Sequence, residues 1–313
     1  EHFGPGYNAP LVITAGIIGS DDPLGLVDEL VEEVEDVEGV DRVVMAVPNQ
    51  NADTALIQLV PTTGSDDPAT VDTPVAHSRE EVAELARTAT TVAEIDARSS
   101  VCRACPRLVA WREEVARVKR AAYADQPYWG RPAASFGDPD PHMIVLGLAP
   151  AAHGANRTGR MFTGDRSGEW IVGALHRAGL ADRDHSGVAG DGQRFHGVRM
   201  VAPVRCAPPA NKPLTSEKAT CAHWLDRELT LLTNVTSILA LGGIAWASAL
   251  QAARRLGWQV PRPQPAFGHG AEGVLRTPDG RDVRLVGSYH VSQQNTFTGK
   301  LTQPMLDQAI RRA

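Results

Sequence analysis

The chain contains few cysteines and no long apolar segment. Its four Cys among 313 residues are too few for a protein that depends on disulfides to fold. No apolar run approaches the ~18 residues of a membrane-spanning helix. The sequence starts at Glu1 without a recognisable secretory signal, which we interpret as a processed, excised or engineered start. We therefore expect a soluble protein.

Basic residues are almost absent from the first quarter of the chain. Residues 1–75 hold 15 Asp and Glu but a single cation, Arg42. The remaining residues carry 30 Lys and Arg against 22 Asp and Glu, together with all six Trp. This contrast predicts two units of different origin, residues 1–75 and 76–313, joined by a Thr-, Asp- and Pro-rich linker at about 64–77.

The acidic first part has the pattern of a small α+β fold. The predicted elements are strands at 11–15, 42–47 and 55–60 and a helix that begins at the Ser20–Pro23 start signal. This β-α-β-β order is half of a ferredoxin-like fold. Short segments within residues 3–8, 47–53 and 59–68 resemble the porter domain of lipid exporters of the resistance-nodulation-division superfamily (MMPL type). The resemblance covers about residues 1–74 and includes no membrane span, so we interpret this part as an acidic appendage.

In the second part, short apolar runs alternate with helical patterns. Strands are predicted at 143–148, 198–204, 237–241 and 283–287, and helices at 79–97, 107–123, 170–178, 216–232 and 244–256. The alternation predicts a three-layer α/β/α fold with a parallel central sheet. Because ligands bind beyond the carboxyl ends of such strands, the segments that follow them are expected to carry the chemistry.

The four cysteines fall into two pairs, Cys102 with Cys105 and Cys206 with Cys221. The two-residue gap in the first pair lets one turn supply two thiolates, and a second pair completes the ligands of one metal centre. Disulfides are the less favoured alternative. Pro106 after Cys105 resembles the end of ferredoxin-type cluster loops, and the interval from Cys206 to Cys221 exceeds that of a zinc knuckle. Zinc and iron–sulfur both stay open on spacing, with iron–sulfur preferred.

Two segments behind predicted strands are rich in glycine and hydrogen-bonding side chains, 147–165 and 287–302, with one histidine at 153 and one at 290. Either alone would be an ordinary turn. Together with residues 102–108 and 204–213, they closely resemble the iron–sulfur uracil-DNA glycosylases of the fifth family, often called type B. The resemblance covers about residues 78–313. It implies an α/β/α fold, a [4Fe-4S] cluster on the four cysteines, and excision of uracil and other deaminated bases such as hypoxanthine from DNA.

The resemblance and the motif positions also indicate site residues. The expected sets are catalytic Asp165, Asn211 and His290; base-binding Phe162, His153 and Asn295; DNA-binding Ser288, Thr298 and Lys300; and metal-binding Cys102, Cys105, Cys206 and Cys221. Hydrolysis of an N-glycosidic bond needs a donor to the base carbonyl and a negative charge or oriented water near the sugar. We assign these roles to His290 and Asp165, with Phe162 stacking on the flipped base.

Two departures from the wider superfamily affect this interpretation. The segment 148–152 lacks a polar water-activating residue, which places more weight on Asp165 or Asn211. Val291 stands where proline is common after the histidine. A zinc-stapled nucleic-acid-binding protein without catalysis is the alternative, and an export accessory role is disfavoured. We expect a cytoplasmic monomer that acts on DNA and has no membrane partner.

Overall fold

The chain forms two units in this computed structural model, residues 1–73 and 74–313. The structure describes residues 11–17, 22–37, 40–48, 54–61 and 73–313. Within these ranges, no helix combines the length and apolar character needed to cross a membrane.

The described residues of the first unit form one helix and a three-stranded antiparallel sheet. Its elements are β1 (Leu11–Gly16), α1 (Pro23–Glu35), β2 (Val40–Pro48) and β3 (Thr54–Pro61), with strand order β1-β3-β2. Asp22 caps α1 by accepting a hydrogen bond from the Gly25 amide at 3.0 Å. Val27 of α1 packs on Ala55 of β3 in a small core. Residues 3–8, 49–53 and 62–68, which carry most of the porter resemblance, lie outside the described residues.

A six-stranded sheet forms the centre of the second unit. Its strands are β4 (Phe136–Gly137), β5 (Met143–Leu146), β6 (Val198–Val201), β7 (Ser237–Leu241), β8 (Glu272–Arg276) and β9 (Asp282–Ser288). The order is β4-β6-β5-β7-β9-β8. The four inner strands are parallel, and the two edge strands are antiparallel to them. The chain adds strands first on one side of β5 and then on the other, which creates a topological switch point between β5 and β7.

Helices cover both faces of this sheet, so the predicted α/β/α fold is confirmed. They are α2 (Arg79–Thr88), α3 (Val92–Ser100), α4 (Pro106–Val118), α5 (Ala155–Thr158), α6 (Arg166–Arg177), α7 (Thr215–Leu231), α8 (Gly243–Arg255), α9 (Gln293–Phe297) and α10 (Gln303–Arg312). Successive strand residues point to opposite faces. Accordingly, Val145 packs with Val172 of α6, whereas Ile144 packs with Leu229 of α7 and Ala249 of α8.

The single helix predicted at 79–97 is wrong. It is two helices, α2 and α3, because residues 89–91 leave the helical path. Thr91 caps α3 by accepting from the Glu94 amide at 3.1 Å, and the Ala89 carbonyl accepts from Arg227 Nε at 2.8 Å. After this break, α3 leads directly into the segment that carries Cys102.

Candidate active site and cysteine cavity

A cleft of ≈ 620 Å³ lies at the carboxyl ends of the parallel strands. Its walls come from the segments after β5, β7 and β9, from residues 161–167 at the start of α6, and from Asn211. The cleft therefore sits beside the switch point of the sheet, and its volume is typical of a small-molecule or single-base pocket. Asp165, Asn211, His290 and Phe162 all line it.

Asp165 is held from two sides. As the N-cap of α6, it accepts a hydrogen bond from the Gly168 amide through Oδ1 at 2.8 Å. Its other carboxylate oxygen faces Gly154, where an added Cβ would lie 2.0 Å from Oδ2. Burial raises the pKa of Asp165 above its ordinary value, and this effect outweighs the amides of Gly168 and Ser167, which act in the opposite direction. The site therefore holds a carboxylate of increased basicity.

Phe162 adopts a backbone conformation that is unusual for a bulky residue. Its φ is 51°, in the left-handed region. Gly147 and Gly168 make room for it, because an added Cβ would lie 2.9 Å from Phe162 Cζ at position 147 and 2.2 Å from the Phe162 carbonyl oxygen at position 168. The local glycines therefore fix the ring over the end of β5, on the floor of the cleft.

His290 follows β9 and faces the turn after β7. An added Cβ on Gly242 would lie 3.3 Å from His290 Cβ. Burial lowers the pKa of His290 below its ordinary value of 6.5, so the imidazole is neutral near pH 7 and can act as a hydrogen-bond donor. Asn295 Nδ2 donates to the His290 carbonyl at 2.8 Å and so fixes the loop.

Asn211 reaches the cleft from the opposite side. It ends a short 3-10 turn at 209–211, is exposed, and has a φ of 55° next to Ala210 with a φ of 52°. Asparagine tolerates this left-handed conformation better than most residues do. The turn directs the residue to the rim of the cleft.

Three residues predicted to contact base or DNA have other partners. Asn295, expected to bind the base, uses its amide on the His290 backbone. His153 does not line the cleft, and its Nδ1 lies 2.9 Å from the Tyr128 hydroxyl. Ser288 is fully buried and donates to the Tyr289 carbonyl at 3.0 Å, so its side chain is not presented to DNA.

Thr298 and Lys300 are exposed, in keeping with an external ligand. The Thr298 hydroxyl bonds to the Gln294 carbonyl at 2.7 Å, and Lys300 Nζ lies 4.9 Å from the centre of the Tyr289 ring. The ammonium group is thus positioned by a cation–π contact while remaining open to solvent.

The four cysteines line one apolar cavity away from the cleft. None of them forms a disulfide, and the other walls include Leu108, Pro132 and Trp224. Burial, together with the neighbouring thiols, raises the pKa of Cys105 to about 12, and burial raises the pKa of Cys206 to about 11. Such thiols ionise at neutral pH only when a metal replaces the proton. In the parts of the chain that the structure describes, no three His, Cys, Asp or Glu side chains converge as closely as a single metal ion requires.

Comparison with known proteins identifies the family of this chain. A family model described as the uracil DNA glycosylase superfamily matches residues 134–313. The chain belongs to this superfamily. Three similar relatives carry the name type-5 uracil-DNA glycosylase. The Mycobacterium tuberculosis protein is 56% identical over 230 residues, 73% of this chain and 83% of the relative. The Mycobacterium leprae protein is 54% identical over 224 residues, 71% and 94%. The Thermus thermophilus protein is 48% identical over 214 residues, 68% and 93%.

Two neighbouring residues, one of which lines the cleft, were not predicted from the sequence of this uracil DNA glycosylase superfamily member. Arg166 lines the cleft, and its guanidinium carbon lies 4.6 Å from the centre of the Phe297 ring. Phe297 is 67% exposed, an unusual position for a phenylalanine. The signal in the sequence was a lone aromatic residue in a polar loop directly after the His290 motif.

Proposed function

We propose that residues 74–313 excise uracil from DNA by hydrolysing its N-glycosidic bond and leave an abasic site. The observation that carries this proposal is the convergence of Asp165, His290 and Phe162 in one base-sized cleft at the switch point of the sheet. The names of the relatives point to the same reaction. A zinc-stapled binder without catalysis is not favoured, because it needs no such cleft.

His290 and Asp165 have complementary tasks in this reaction. As the bond from C1′ to the base breaks, its electron pair moves to the base, whose carbonyl oxygen gains negative charge. The neutral imidazole of His290 donates a hydrogen bond to that oxygen. The Asp165 carboxylate stabilises the cationic sugar and accepts a proton from the water that attacks C1′. Asp165 then gives up this proton, which neutralises the departing base anion and restores the carboxylate.

Phe162 and Asn211 hold the reactants in place. The Phe162 ring forms the floor on which the flipped base stacks, and Gly147 leaves the space that the ring occupies. Asn211 stands at the rim, where its amide can orient the base or the water. Because segment 148–152 has no polar side chain, this assignment leaves Asp165 as the proton acceptor.

A [4Fe-4S] cluster on Cys102, Cys105, Cys206 and Cys221 completes the proposal. Four free thiols that line one apolar cavity are a suitable ligand set. When bound, the cluster supplies a cross-link between the chain segments of the two cysteine pairs, rather than a reacting group. The residues of the cleft then carry the chemistry.

Several finer assignments belong to the same proposal. Exposed Thr298 and Lys300 contact the DNA backbone. The absence of an asparagine from residues 202–204 leaves a more permissive pocket, which accepts other deaminated bases such as hypoxanthine. The protein acts as a monomer in the cytoplasm. The first unit is an acidic appendage similar to a porter fragment, supported by its split β-α-β sheet, and it takes no part in base excision.

Excision is tested with the purified full chain on oligonucleotides that carry one uracil, one hypoxanthine or a matched thymine. Alkaline cleavage reveals abasic sites in both single- and double-stranded forms. We expect cleavage at uracil, a strong loss in Asp165→Ala and His290→Ala, and no loss in Asp125→Ala and His185→Ala, which change exposed residues of the same types. No release from either strand form, by protein with its full iron content, would refute the proposal. Zinc in place of iron, without release, would favour the non-catalytic alternative.

A further inference from the structure

A buried arginine lies directly beside the cysteines. Arg112, in the middle of α4, is 1% exposed. Its Nη1 donates to Cys206 Sγ at 2.9 Å, and its Nη2 donates to the Cys102 carbonyl at 3.1 Å. Among the described residues, no Asp or Glu forms an ion pair with this guanidinium, and its buried Nε has no partner. Its burial leaves Arg112 unavailable for contact with an external ligand.

This environment requires a negative charge in the cavity. A guanidinium is always protonated, and a buried cation without a counter-charge carries a large desolvation penalty. A neutral thiol is a weak acceptor and compensates for little of it. A thiolate that is bound to a metal centre is both a charged acceptor and part of a net negative group. The position of Arg112 is therefore explained by an occupied cysteine site.

A second donor reaches the same ligand set from the other side. The Arg205 amide donates to Cys221 Sγ at 3.3 Å. Hydrogen bonds to ligand sulfurs and nearby charge are among the features that set the reduction potential of an iron–sulfur centre. Of these two donor groups, only the Arg112 guanidinium is charged, because the Arg205 donor is a backbone amide.

We propose that Arg112 is a positioning residue of the metal–thiolate centre, in which it acts as an internal counter-cation that retains the centre and raises its reduction potential. This inference rests on the proposed cluster. It predicts that loss of the charge lowers the potential, since the more negative reduced state is then less favoured. It also predicts faster loss of the metal.

Enzyme activity is a poor readout for this proposal. Asn156 Nδ2 donates to the Arg112 carbonyl at 3.2 Å. Asn156 lies in α5, next to Ala155, which lines the cleft. Any change in α4 could therefore reach the active site by a purely structural route. The potential of the centre and the rate of its loss do not share this ambiguity.

The experiment uses the full chain and begins with iron and acid-labile sulfide analysis of the unmodified protein. Protein-film voltammetry then compares Arg112→Met, which is neutral and apolar, with Arg112→Lys, which keeps the charge. Arg117→Met is the matched control, since Arg117 lies on the same helix but is exposed and paired with Glu114. We expect a lower potential for Arg112→Met, a value near that of the unmodified protein for Arg112→Lys, and no shift for Arg117→Met. The visible absorbance under chelator should decay about ten-fold faster or more in Arg112→Met.

The outcomes separate the two proposals. Absence of iron and sulfide from the unmodified protein refutes the cluster itself. A full cluster with unchanged potential and decay in Arg112→Met refutes only the role of Arg112. If Arg112→Met does not fold, pulsed EPR of the reduced unmodified protein replaces it, with arginine that carries ¹⁵N only in its guanidinium group so that the Arg205 amide is unlabelled. A ¹⁵N coupling that disappears in Arg112→Lys supports the contact, and no coupling in the unmodified protein overturns it.

Discussion

The carboxylate of Asp165 occupies the space that a side chain at position 154 would need. An added Cβ on Gly154 would lie 2.0 Å from Asp165 Oδ2, a distance that no real contact allows. The segment after β5 and the start of α6 therefore meet at this point without a gap. The position of the proposed proton acceptor is set as much by the absence of a side chain at 154 as by its own hydrogen bond to Gly168.

Gly154→Ala should therefore reduce catalysis more than it reduces stability. The methyl group must push the carboxylate or the loop aside, and displacement of a catalytic group by about 1 Å lowers the rate about 100-fold. Single-turnover uracil release and thermal unfolding measure the two effects. Gly187→Ala is the control, because an added Cβ there meets nothing within 4 Å. Equal rates for the two variants would contradict the assigned role of this contact.

The pH dependence of excision should show a single acid limb. The folded protein raises the pKa of Asp165 through burial and lowers the pKa of His290 through burial. The rate needs both groups deprotonated, so it increases as the pH increases through these two values and then levels off. The limb should lie above the pH at which an ordinary carboxyl group of pKa about 3.9 ionises. Single-turnover rates across this range give the profile.

Asp165→Asn separates the two contributions to that limb. It should lower the plateau by about 10² to 10⁴-fold and leave only the limb of His290. Because folding raises the pKa of Asp165, the ionised form opposes folding, and the neutral variant should melt at the same temperature or higher. Asp125→Asn, at an exposed position, should keep the original profile. A variant with unaltered limb and plateau would exclude Asp165 as the acceptor.

Much of the cleft could be predicted from the sequence. Parallel strands place their carboxyl ends on one edge, so motifs behind β5 and β9 had to meet, and Asp165, Phe162 and His290 do line one cleft. Ser288 shows the limit of this reasoning. It pairs with Leu241 inside the sheet, so that it is buried, although it belongs to the same motif. The sequence gives the order of residues along a strand but not the depth at which the strand ends.

Hydrogen-bond partners are the other part that the sequence could not supply. An amide such as Asn295 suits a base edge and a backbone carbonyl equally well, and the fold selects the carbonyl of His290. Arg112 lies in a helix whose other arginines are charged and accessible, and only the packing of α4 against the cysteine cavity separates it from Arg117. The composition gives the number of charged residues, but the packing of the fold determines which groups they contact.

A buried ion network connects three elements of the second unit. Glu228 of α7 is fully buried and accepts from Arg199 Nε at 2.7 Å and from Arg205 Nη2 at 2.5 Å. Burial alone would raise the pKa of Glu228, but Arg205 and Arg199 outweigh it and hold the pKa below its ordinary value. The network fixes the residue that precedes Cys206.

Glu228→Gln should destabilise the fold by about 3–5 kcal/mol, because Arg199 and Arg205 lose their fully buried carboxylate partner and keep only Asp96, whose side chain is 24% exposed. Urea unfolding at neutral pH measures the change. Asp226→Asn on the same helix breaks the more exposed pair with Arg255 and should alter stability by about 0–1 kcal/mol. Since the folded pKa of Glu228 is lowered, its stabilisation is lost as the pH falls, and the difference between variant and unmodified protein should shrink in acid. A difference that stays constant with pH would contradict the assigned charge state.

Phe297 is an exposed aromatic residue next to a cleft residue, and we predict that its ring enters the space left by a flipped base. It is 67% exposed, and Arg166 supports its ring from the cleft side. Apolar side chains that insert in this way stabilise an unstacked base step. A duplex resists flipping more than a single strand does, because its base must also be unpaired. Phe297→Ala should therefore lower uracil release from duplex DNA about ten-fold and leave single-stranded DNA nearly unaffected, whereas Phe297→Leu retains most of the duplex rate. Val274→Ala, which shortens another exposed apolar side chain (51% exposed) on edge strand β8, should change neither rate. A parallel fall on both substrates would show that Phe297 supports the cleft and does not act on the duplex.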